Sequence, residues 1–394
     1  MSVPREGWGC IACCDRTCMG YCDTYRRSFM EVRPALSAIP TIAKDTGTLP
    51  GHIQMAIKYI ALKNSKQNTN LSQLTDLRNT REKGPERDQD LATAEKILSY
   101  LPPGLKDSPS LAADVAHVLG VVPSNAHKIA HIQGAGLFPL ASMIEHSCKP
   151  NTNYETHGTK LTITATAPIT AGQSISISYL EPYLPKQERL EQLLGRYHFE
   201  CKCEMCVPEA KDITRAFLCK QSKCDGIVYP IANGTETAHW VCSKCNKAIS
   251  AEYFHEIIEL EKEQKAKALS DVPVGDLLEN GCMHQSHYLI HRALDNRVRL
   301  LSRLRPNLCE ALLSRLIENA NLLLPPIHPD KAVYYDMQGQ VRKLMGDING
   351  CREAFQEAHS MREKCSGKTA PSTLRAKQKF TNPEKVEISL WSPS

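Results

Sequence analysis

The spacing of the cysteines constrains this chain more than any other feature of its sequence. Among 394 residues there are seventeen cysteines, and four of them follow the pattern C-x4-C, a 17-residue gap and C-x2-C: Cys219, Cys224, Cys242 and Cys245. Two short-spaced pairs joined by a hairpin bring four thiolates to one tetrahedral metal ion, which in proteins is commonly zinc. Apolar runs at 227–229 and 239–241 flank an Asn-Gly turn at 233–234, as a hairpin requires. The pattern predicts a zinc-ribbon-like hairpin within residues 207–252.

A second cysteine group contains one ligand too few for a structural zinc. Cys201, Cys203 and Cys206 form C-x-C-x2-C, whereas a closed zinc site takes four ligands. Cys148, in the stretch IEHSCKPN, is separated from every other cysteine group along the chain. We expect the fold to bring Cys148 back to residues 201–206 and complete a second zinc site.

The N-terminal cysteines allow no ligand assignment. Cys10, Cys13, Cys14, Cys18 and Cys22 are followed by residues 23–47, which contain neither cysteine nor histidine. A partial metal site, free thiols and an incorrectly assembled gene model remain alternatives.

The first residues lack the apolar core of a secretory signal and no run reaches the ~20 apolar residues of a membrane span, so we expect a soluble protein of the cytoplasm, the nucleus or both. In such a reducing compartment, clustered cysteines indicate metal binding rather than disulfides.

Between Cys148 and Cys201 the sequence predicts strands, a turn and then a helix. Apolar residues alternate over 161–167, a turn follows near Ala171-Gly172, and the alternation resumes over 175–179, which predicts an antiparallel pair. The segment LPKQERLEQLLGRY then predicts a short helix, with Leu190, Leu193 and Leu194 on its apolar side.

These motifs, in this order, resemble the C-terminal half of a SET domain with its post-SET zinc knuckle. The stretches HSCKPN, ITAGQSISISY and LGRYHFECKCEMC carry the resemblance, which is strong over about 137–206 and looser from about 49 onward. More narrowly, the chain resembles the SET-and-MYND (SMYD) protein lysine methyltransferases, especially the arthropod members.

The resemblance implies a role for several individual residues. It places His146 and Glu145 of the His-Ser-Cys segment, Phe199 of the Tyr-x-Phe-x-Cys element and Asn125 of VPSNAHKI, which matches the family's N-A-F-E-I, beside S-adenosylmethionine. It makes Tyr179 the catalytic tyrosine. It also implies that the His-Ser-Cys segment is threaded beneath the tyrosine segment, a rare exception to simple chain topology.

Two functions remain open at this stage. The first is an S-adenosylmethionine-dependent protein-lysine N-methyltransferase acting on a histone or another protein with an exposed lysine. The second is a catalytically degenerate SET scaffold that binds zinc and serves as an adaptor between proteins. Tyr179 and Cys148 favour the enzyme. The absence of an intact Gly-x-Gly loop favours the adaptor. Glu145, where the family has asparagine, leaves two alternatives: a weaker contact with the methionine end of the cofactor, or a contact with its ammonium.

The remaining segments predict helices, and the fold class as a whole is α+β. We expect a cysteine-rich segment at 1–48, a helical insert at 49–127, the SET half with its knuckle at 128–206, and a helical domain resembling tetratricopeptide repeats at 253–372. The segment at 79–90 is predicted to be a solvated loop, and the tail at 373–394 to be disordered. The net charge of +5 with mixed signs gives no reason to expect nucleic-acid binding, and we expect a monomer that binds no membrane.

Overall fold

The computed structural model describes residues 26–65, 70–74, 76–129, 134–157, 160–221, 223–230, 240–268, 282–302 and 304–389. The N-terminal cysteines, the Asn233-Gly234 turn and the end of the predicted tail lie outside these ranges. Small sheets are combined with many helices, so the α+β class is confirmed. Within the described residues, no helix combines the length and apolar character needed to cross a membrane.

The first third of the chain is a helical layer. It comprises α1 (Arg26–Glu31), α2 (Arg33–Ser37), α3 (Ile39–Thr46), α4 (Pro50–Asn64), α5 (Pro85–Ser99) and α6 (Leu111–Asn125). Ile53, Ile57 and Ile60 form the predicted buried stripe of α4 and pack into one core with α5 and α6. Residues 79–90 are not a solvated loop throughout, because α5 begins at Pro85 and Asp90 is fully buried.

The middle of the chain contains short strands around one short helix. It comprises β1 (Ala126–Ile129), β2 (Gly134–Leu137), α7 (Pro139–Ser142), β3 (Glu145–His146), β4 (Thr152–His157), β5 (Lys160–Ala165) and β6 (Ser176–Ile177). Antiparallel pairs join β1 to β2 and β4 to β5, whereas β3 and β6 are parallel. The His-Ser-Cys segment therefore lies directly beside the segment that leads to Tyr179.

The antiparallel pairing predicted between 161–167 and 175–179 was wrong, because these two segments do not pair with each other. The turn is present, since Gln173 N donates to Thr170 O at 3.0 Å and Gly172 has φ +84°. However, Asn151 occupies the start of β6 by accepting from Ser176 N at 2.9 Å, and it also donates to Ser174 O at 2.9 Å. With that edge occupied by a side chain, β5 pairs with the strand before it, β4.

After β6 the chain forms α8 (Lys186–Tyr197) and a three-stranded antiparallel sheet of β7 (Phe217–Leu218), β8 (Ile227–Pro230) and β9 (Trp240–Cys242). The predicted helix thus exists, with Leu193 buried, but Leu194 is 54% exposed rather than part of the apolar side. The β8–β9 pair is the predicted ribbon hairpin, in the register Tyr229 to Val241.

The C-terminal part is helical and shares a core with the ribbon. It comprises α9 (Ala251–Ala268), α10 (Tyr288–Leu301), α11 (Pro306–Leu323), α12 (Pro329–Leu344), α13 (Ile348–Ser366) and α14 (Pro371–Thr381). Short 3-10 turns lie at Asn70–Leu74, Pro103–Leu105, Ile213–Arg215 and Pro383–Lys385. The predicted disorder from residue 373 was wrong for α14, whose Thr373 and Ala376 are buried. The similarity to tetratricopeptide repeats and the domain boundaries stay predictions.

Candidate active site and metal centres

The first cysteine cluster joins two distant segments of sequence. The Sγ atoms of Cys148, Cys201, Cys203 and Cys206 all lie within 4.8 Å of one another. Cys148 follows β3, and the other three follow α8, which ends at His198 in the left-handed region (φ +55°). Cys206 N donates to Cys203 O at 2.8 Å and closes a tight turn. The structure thus brings together the four residues that the ligand count predicted.

A buried arginine next to this cluster suits a metal-bound set of thiolates. Arg189 on α8 is only 3% exposed and donates to Leu184 O at 2.6 Å and Met205 O at 3.1 Å. Its charge interacts with Asp212 first and then with Cys148 and Cys206, while its Nε has no hydrogen-bond partner among the described residues. Four thiolates around Zn²⁺ carry a net negative charge, and a buried cation beside them offsets it. The donor set therefore fits zinc.

The second cluster is packed closely against the backbone of the ribbon. The Sγ atoms of Cys219, Cys224, Cys242 and Cys245 also lie within 4.8 Å of one another. A Cβ placed on Gly226 would lie 2.4 Å from Cys242 Sγ and 3.3 Å from Cys224 Sγ. The amides of Gln221 and Lys244 point at Cys219 Sγ and Cys242 Sγ, at 3.5 and 3.4 Å. Such amide contacts orient metal-bound sulfur, so this cluster also fits zinc.

His146 connects the first cluster to Tyr179. Its Nδ1 accepts a hydrogen bond from the backbone N–H of Tyr179 at 3.0 Å, and its Nε2 lies 3.3 Å from Cys148 Sγ. Because Nδ1 accepts, the neutral ring carries its proton on Nε2, which faces the sulfur; this tautomer is inferred from the partners. Burial lowers the pKa of His146 to about 4, so the ring is neutral near pH 7. Both ring nitrogens are therefore engaged within the protein.

Tyr179 lies in a cluster of aromatic rings. Its ring centroid is 5.1 Å from that of His146, 4.9 Å from that of Tyr197 and 6.4 Å from that of Phe199. Its hydroxyl donates to Ile144 O at 2.5 Å, which leaves the oxygen lone pairs available as acceptors. Burial raises the pKa of Tyr179 above its ordinary value, so the hydroxyl stays protonated near pH 7.

A cavity of about 80 Å³ lies beside the Tyr179 ring. Its lining comprises Ser124, Asn125, Ala126, His127, Ala141, Ser142, Tyr154, Ile177, Ser178, Tyr179 and Tyr197. This volume is far below the ~300 Å³ at which small-molecule pockets begin, so the cavity suits the end of one side chain. Asn125 is buried at its wall, and its Nδ2 donates to Arg78 O and Val121 O, both at 2.8 Å. Asn125 thereby anchors the end of α6.

A second cavity of about 80 Å³ lies on the other side of Tyr154, Ile177 and Ser178, which line both. Its far wall is the connection between α11 and α12, including Pro325, Ile327, His328 and Pro329. The two cavities are therefore neighbours, separated by these three residues. A larger cavity of about 500 Å³ lies elsewhere, between α8, the ribbon and α9.

The structure brings some of the predicted site residues close together. Tyr179, His146 and Phe199 are brought together. Asn125 lines the same cavity as Tyr179, and Glu145 is exposed beside His146. Among the ring-bearing residues that line the cavity, sequence reasoning missed His127, Tyr154 and Tyr197. Tyr197 had an available signal, since it is the tyrosine of the same Tyr-x-Phe-x-Cys element that identified Phe199. Contacts of these residues with a cofactor stay a prediction.

Part of this chain is similar in sequence to known proteins. Residues 53–180 match the SET domain family model. A SET and MYND domain-containing protein of Dictyostelium discoideum is 33% identical over 127 residues, which are 29% of this chain and 33% of that protein. Histone-lysine N-methyltransferase SMYD1 of Homo sapiens is 25% identical over 276 residues, 64% of this chain and 53% of that protein.

An insect relative matches a shorter segment. The SET domain-containing protein SmydA-8, isoform B, of Drosophila melanogaster is 33% identical over 112 residues, which are 28% of this chain and 25% of that protein. The matches therefore span between a quarter and about half of the length of these three relatives.

Proposed function

We propose that the chain is an S-adenosylmethionine-dependent protein-lysine N-methyltransferase whose SET domain is of the kind found in SET-and-MYND proteins. The observation that carries the proposal is the arrangement around Tyr179. Its ring closes a cavity the size of a side-chain end, and its segment is held by His146 to a four-cysteine cluster. Two of the relatives described above are named for SET and MYND domains or for histone-lysine methylation.

The cavity beside Tyr179 provides what methyl transfer to an amine requires. S-adenosylmethionine, when bound, supplies a methyl group on a sulfonium sulfur, and displacement at that carbon depends on alignment of the attacking amine. The walls of Tyr154, Tyr179 and Tyr197 confine the end of a lysine side chain to one direction. Burial there disfavours the ammonium form of the lysine, and the Tyr179 hydroxyl oxygen orients the neutral amine by accepting one of its N–H bonds.

The residues around His146 would hold the cofactor. Glu145 offers an exposed carboxylate for the ammonium of the methionine part, and Phe199 offers a half-buried ring for stacking. His146 itself contributes by fixing the backbone of Tyr179, since both of its ring nitrogens are already engaged. Asn125 contributes by fixing the wall of the cavity.

Zinc is proposed at both cysteine clusters as a structural ion. At the first cluster it would tie the His-Ser-Cys segment to the chain that follows α8, and Arg189 would offset the charge of the thiolates. At the second it would close the base of the β8–β9 hairpin. The ribbon shares its hydrophobic core with α10 and α11, so this second ion also supports the helical part.

The substrate is proposed to be a protein with an exposed lysine, a histone or another, bound along the cleft between the strands and the α11–α12 connection. The cavity on that side shares Tyr154, Ile177 and Ser178 with the cavity beside Tyr179, so a substrate bound there would lie next to the proposed position of the amine. A monomer acting in the cytoplasm or nucleus, without nucleic acid or membrane, is the simplest arrangement.

Two measurements test the proposal. Calorimetry should detect binding of S-adenosylmethionine to the full chain, and transfer of a labelled methyl group to lysines of core histones or of a mixed protein extract should depend on the chain. Absence of binding heat at high micromolar protein, together with absence of transfer, would contradict the proposed function.

A further inference from the structure

We propose that Arg78 is a positioning residue that ties the segment carrying Phe199 to the wall of the cavity beside Tyr179, an inference that rests on the proposed function. Arg78 lies in the connection between the 3-10 turn at Asn70–Leu74 and α5, and its side chain is exposed. It lies outside every motif that indicated the site in the sequence.

Arg78 contacts both sides of the site, one with its side chain and the other with its backbone. Its Nη2 donates to His198 O at 3.2 Å. Its own carbonyl accepts from Asn125 Nδ2 at 2.8 Å and from Ser124 Oγ at 3.4 Å. Ser124 and Asn125 line the cavity beside Tyr179. One residue thus connects the end of α8 with the end of α6.

The backbone at His198 needs such support. His198 directly follows α8 and has φ +55°, in the left-handed region that side chains other than glycine rarely adopt. Its N–H donates to Leu194 O at 3.1 Å, and its carbonyl is the acceptor for Arg78. The next residue is Phe199, whose ring centroid lies 6.4 Å from that of Tyr179. The direction in which Phe199 leaves the helix therefore depends on how firmly His198 is held.

The segment that carries Arg78 is itself held on two sides. Asn79 Oδ1 accepts from Arg81 N at 2.8 Å, and Arg81 Nη2 lies 3.2 Å from Oδ1 of the fully buried Asp90 on α5. On the other side the segment lies close against α6, since a Cβ placed on Gly120 would lie 2.4 Å from Asn79 Oδ1. A segment fixed in this way offers the Arg78 guanidinium a stable base.

A further connection between α6 and α8 does not involve this segment. Arg196 on α8 donates through Nε and Nη2 to Pro123 O, at 3.2 and 3.0 Å. Loss of the Arg78 guanidinium therefore leaves the two helices joined, and the change is confined to the residues that follow α8. We expect it to weaken the proposed cofactor contact of Phe199 rather than the fold.

The primary test compares wild type, Arg78→Ala and Arg78→Lys in methyl transfer at varied S-adenosylmethionine concentration. For Arg78→Ala we expect KM for S-adenosylmethionine to rise about three- to tenfold, the range of one hydrogen bond, with kcat nearly unchanged. Arg78→Lys, which keeps a donor, should recover most of the loss. A purely structural effect would lower the active fraction, and so kcat, without changing KM. An unchanged KM in Arg78→Ala would overturn the inference.

Arg342→Ala is the matched control. Arg342 Nη1 on α12 also donates to a backbone carbonyl, that of Gly350, at 3.2 Å, and Arg342 lines neither cavity near Tyr179. This variant should leave KM for S-adenosylmethionine unchanged. An equal rise of KM in Arg78→Ala and Arg342→Ala would overturn the inference.

A second measurement needs neither cofactor nor turnover. Hydrogen exchange followed by mass spectrometry should show faster exchange of the amides at 198–201 in Arg78→Ala than in wild type, and no change there in Arg342→Ala. Unchanged exchange at 198–201 in Arg78→Ala would overturn the inference even for an active enzyme. A wild-type chain that binds no S-adenosylmethionine and transfers no methyl group would contradict the proposed function, and faster exchange in Arg78→Ala would then still support the tie.

Discussion

At the scale of single residues, removal of the Tyr179 hydroxyl tests the catalytic role of this side chain without disturbing the packing of its ring. Tyr179→Phe keeps the ring that packs between His146 and Tyr197 but removes the oxygen that orients the amine. We expect turnover to fall about tenfold or more, since one hydrogen bond of ~1.5 kcal/mol made in the transition state corresponds to that factor. Calorimetric binding of S-adenosylmethionine should change little, because the hydroxyl donates to Ile144 O and is not assigned to the cofactor.

Tyr183→Phe provides the matched control for this prediction. This variant also removes a hydroxyl that is hydrogen-bonded within the protein, at 3.4 Å from the Tyr334 hydroxyl. Tyr183 does not line the cavity beside Tyr179. Full turnover in Tyr179→Phe would show that the catalytic assignment is wrong, whatever the fold. Equal losses in both variants would indicate a structural effect.

The same residues show what a sequence reveals about a site. Cys148 was predicted to join residues 201–206 because zinc chemistry requires a fourth ligand, a local rule that spacing makes visible. His127 and Tyr154 were missed because their roles depend on which strand faces the cavity. That is decided by the β1–β2 and β4–β5 pairings, and these depend on long-range packing that no local pattern encodes.

At the scale of elements, local patterns predicted the helices and strands themselves more accurately than the pairing between strands. The stripe of Ile53, Ile57 and Ile60 predicted α4, and the Asn-Gly signal predicted the β8–β9 pair. The partner of β5 was mistaken because Asn151 binds the backbone of the 174–176 segment through its side chain. Periodicity indicates which face of a strand is apolar. It does not indicate whether the backbone N–H and C=O groups of that strand are already hydrogen-bonded to a side chain.

The cysteine elements provide a prediction about metal content. Purified protein should carry about two zinc ions at the described clusters, and Gly226→Ala should lose one of them, because the added methyl would lie 2.4 Å from Cys242 Sγ. Cys203→Ser should lose the other and lower the melting temperature, since structural zinc contributes to folding free energy. Metal analysis and thermal denaturation measure both effects.

Two variants serve as controls for the metal prediction. Gly195→Ala on α8 introduces a methyl into open space and should keep both ions. Cys282→Ser removes a partly exposed thiol outside the two clusters and should also keep them. Wild-type protein that contains no zinc after gentle purification would refute both assignments.

At the scale of the whole molecule, the C-terminal helix is tied to the strands of the SET region. The Ser372 hydroxyl on α14 donates to Glu155 Oε2 on β4 at 2.6 Å, and Ser372 N donates to Oε1 at 3.3 Å. Asn153 Nδ2 donates to Cys365 O at 3.2 Å. The tail was predicted to be disordered because its composition is polar, and composition does not reveal a docking contact more than 200 residues away along the chain.

This contact predicts a pH-dependent stability. Burial alone would raise the pKa of Glu155, but hydrogen bonds from Ser372 and Ser366 outweigh it, so the pKa lies below its ordinary value. A carboxyl with a lowered folded pKa stabilises the protein above its unfolded pKa of ~4.3, and that stabilisation is lost as the pH falls through the folded value. Glu155→Gln should therefore lower the free energy of unfolding at pH 7 by roughly 1 kcal/mol and by clearly less near pH 3.5.

Urea denaturation at the two pH values measures this, with Glu357→Gln, an exposed position on α13, as the control. A loss of the same size at both pH values would refute the charged contact and leave only packing between α14 and β4.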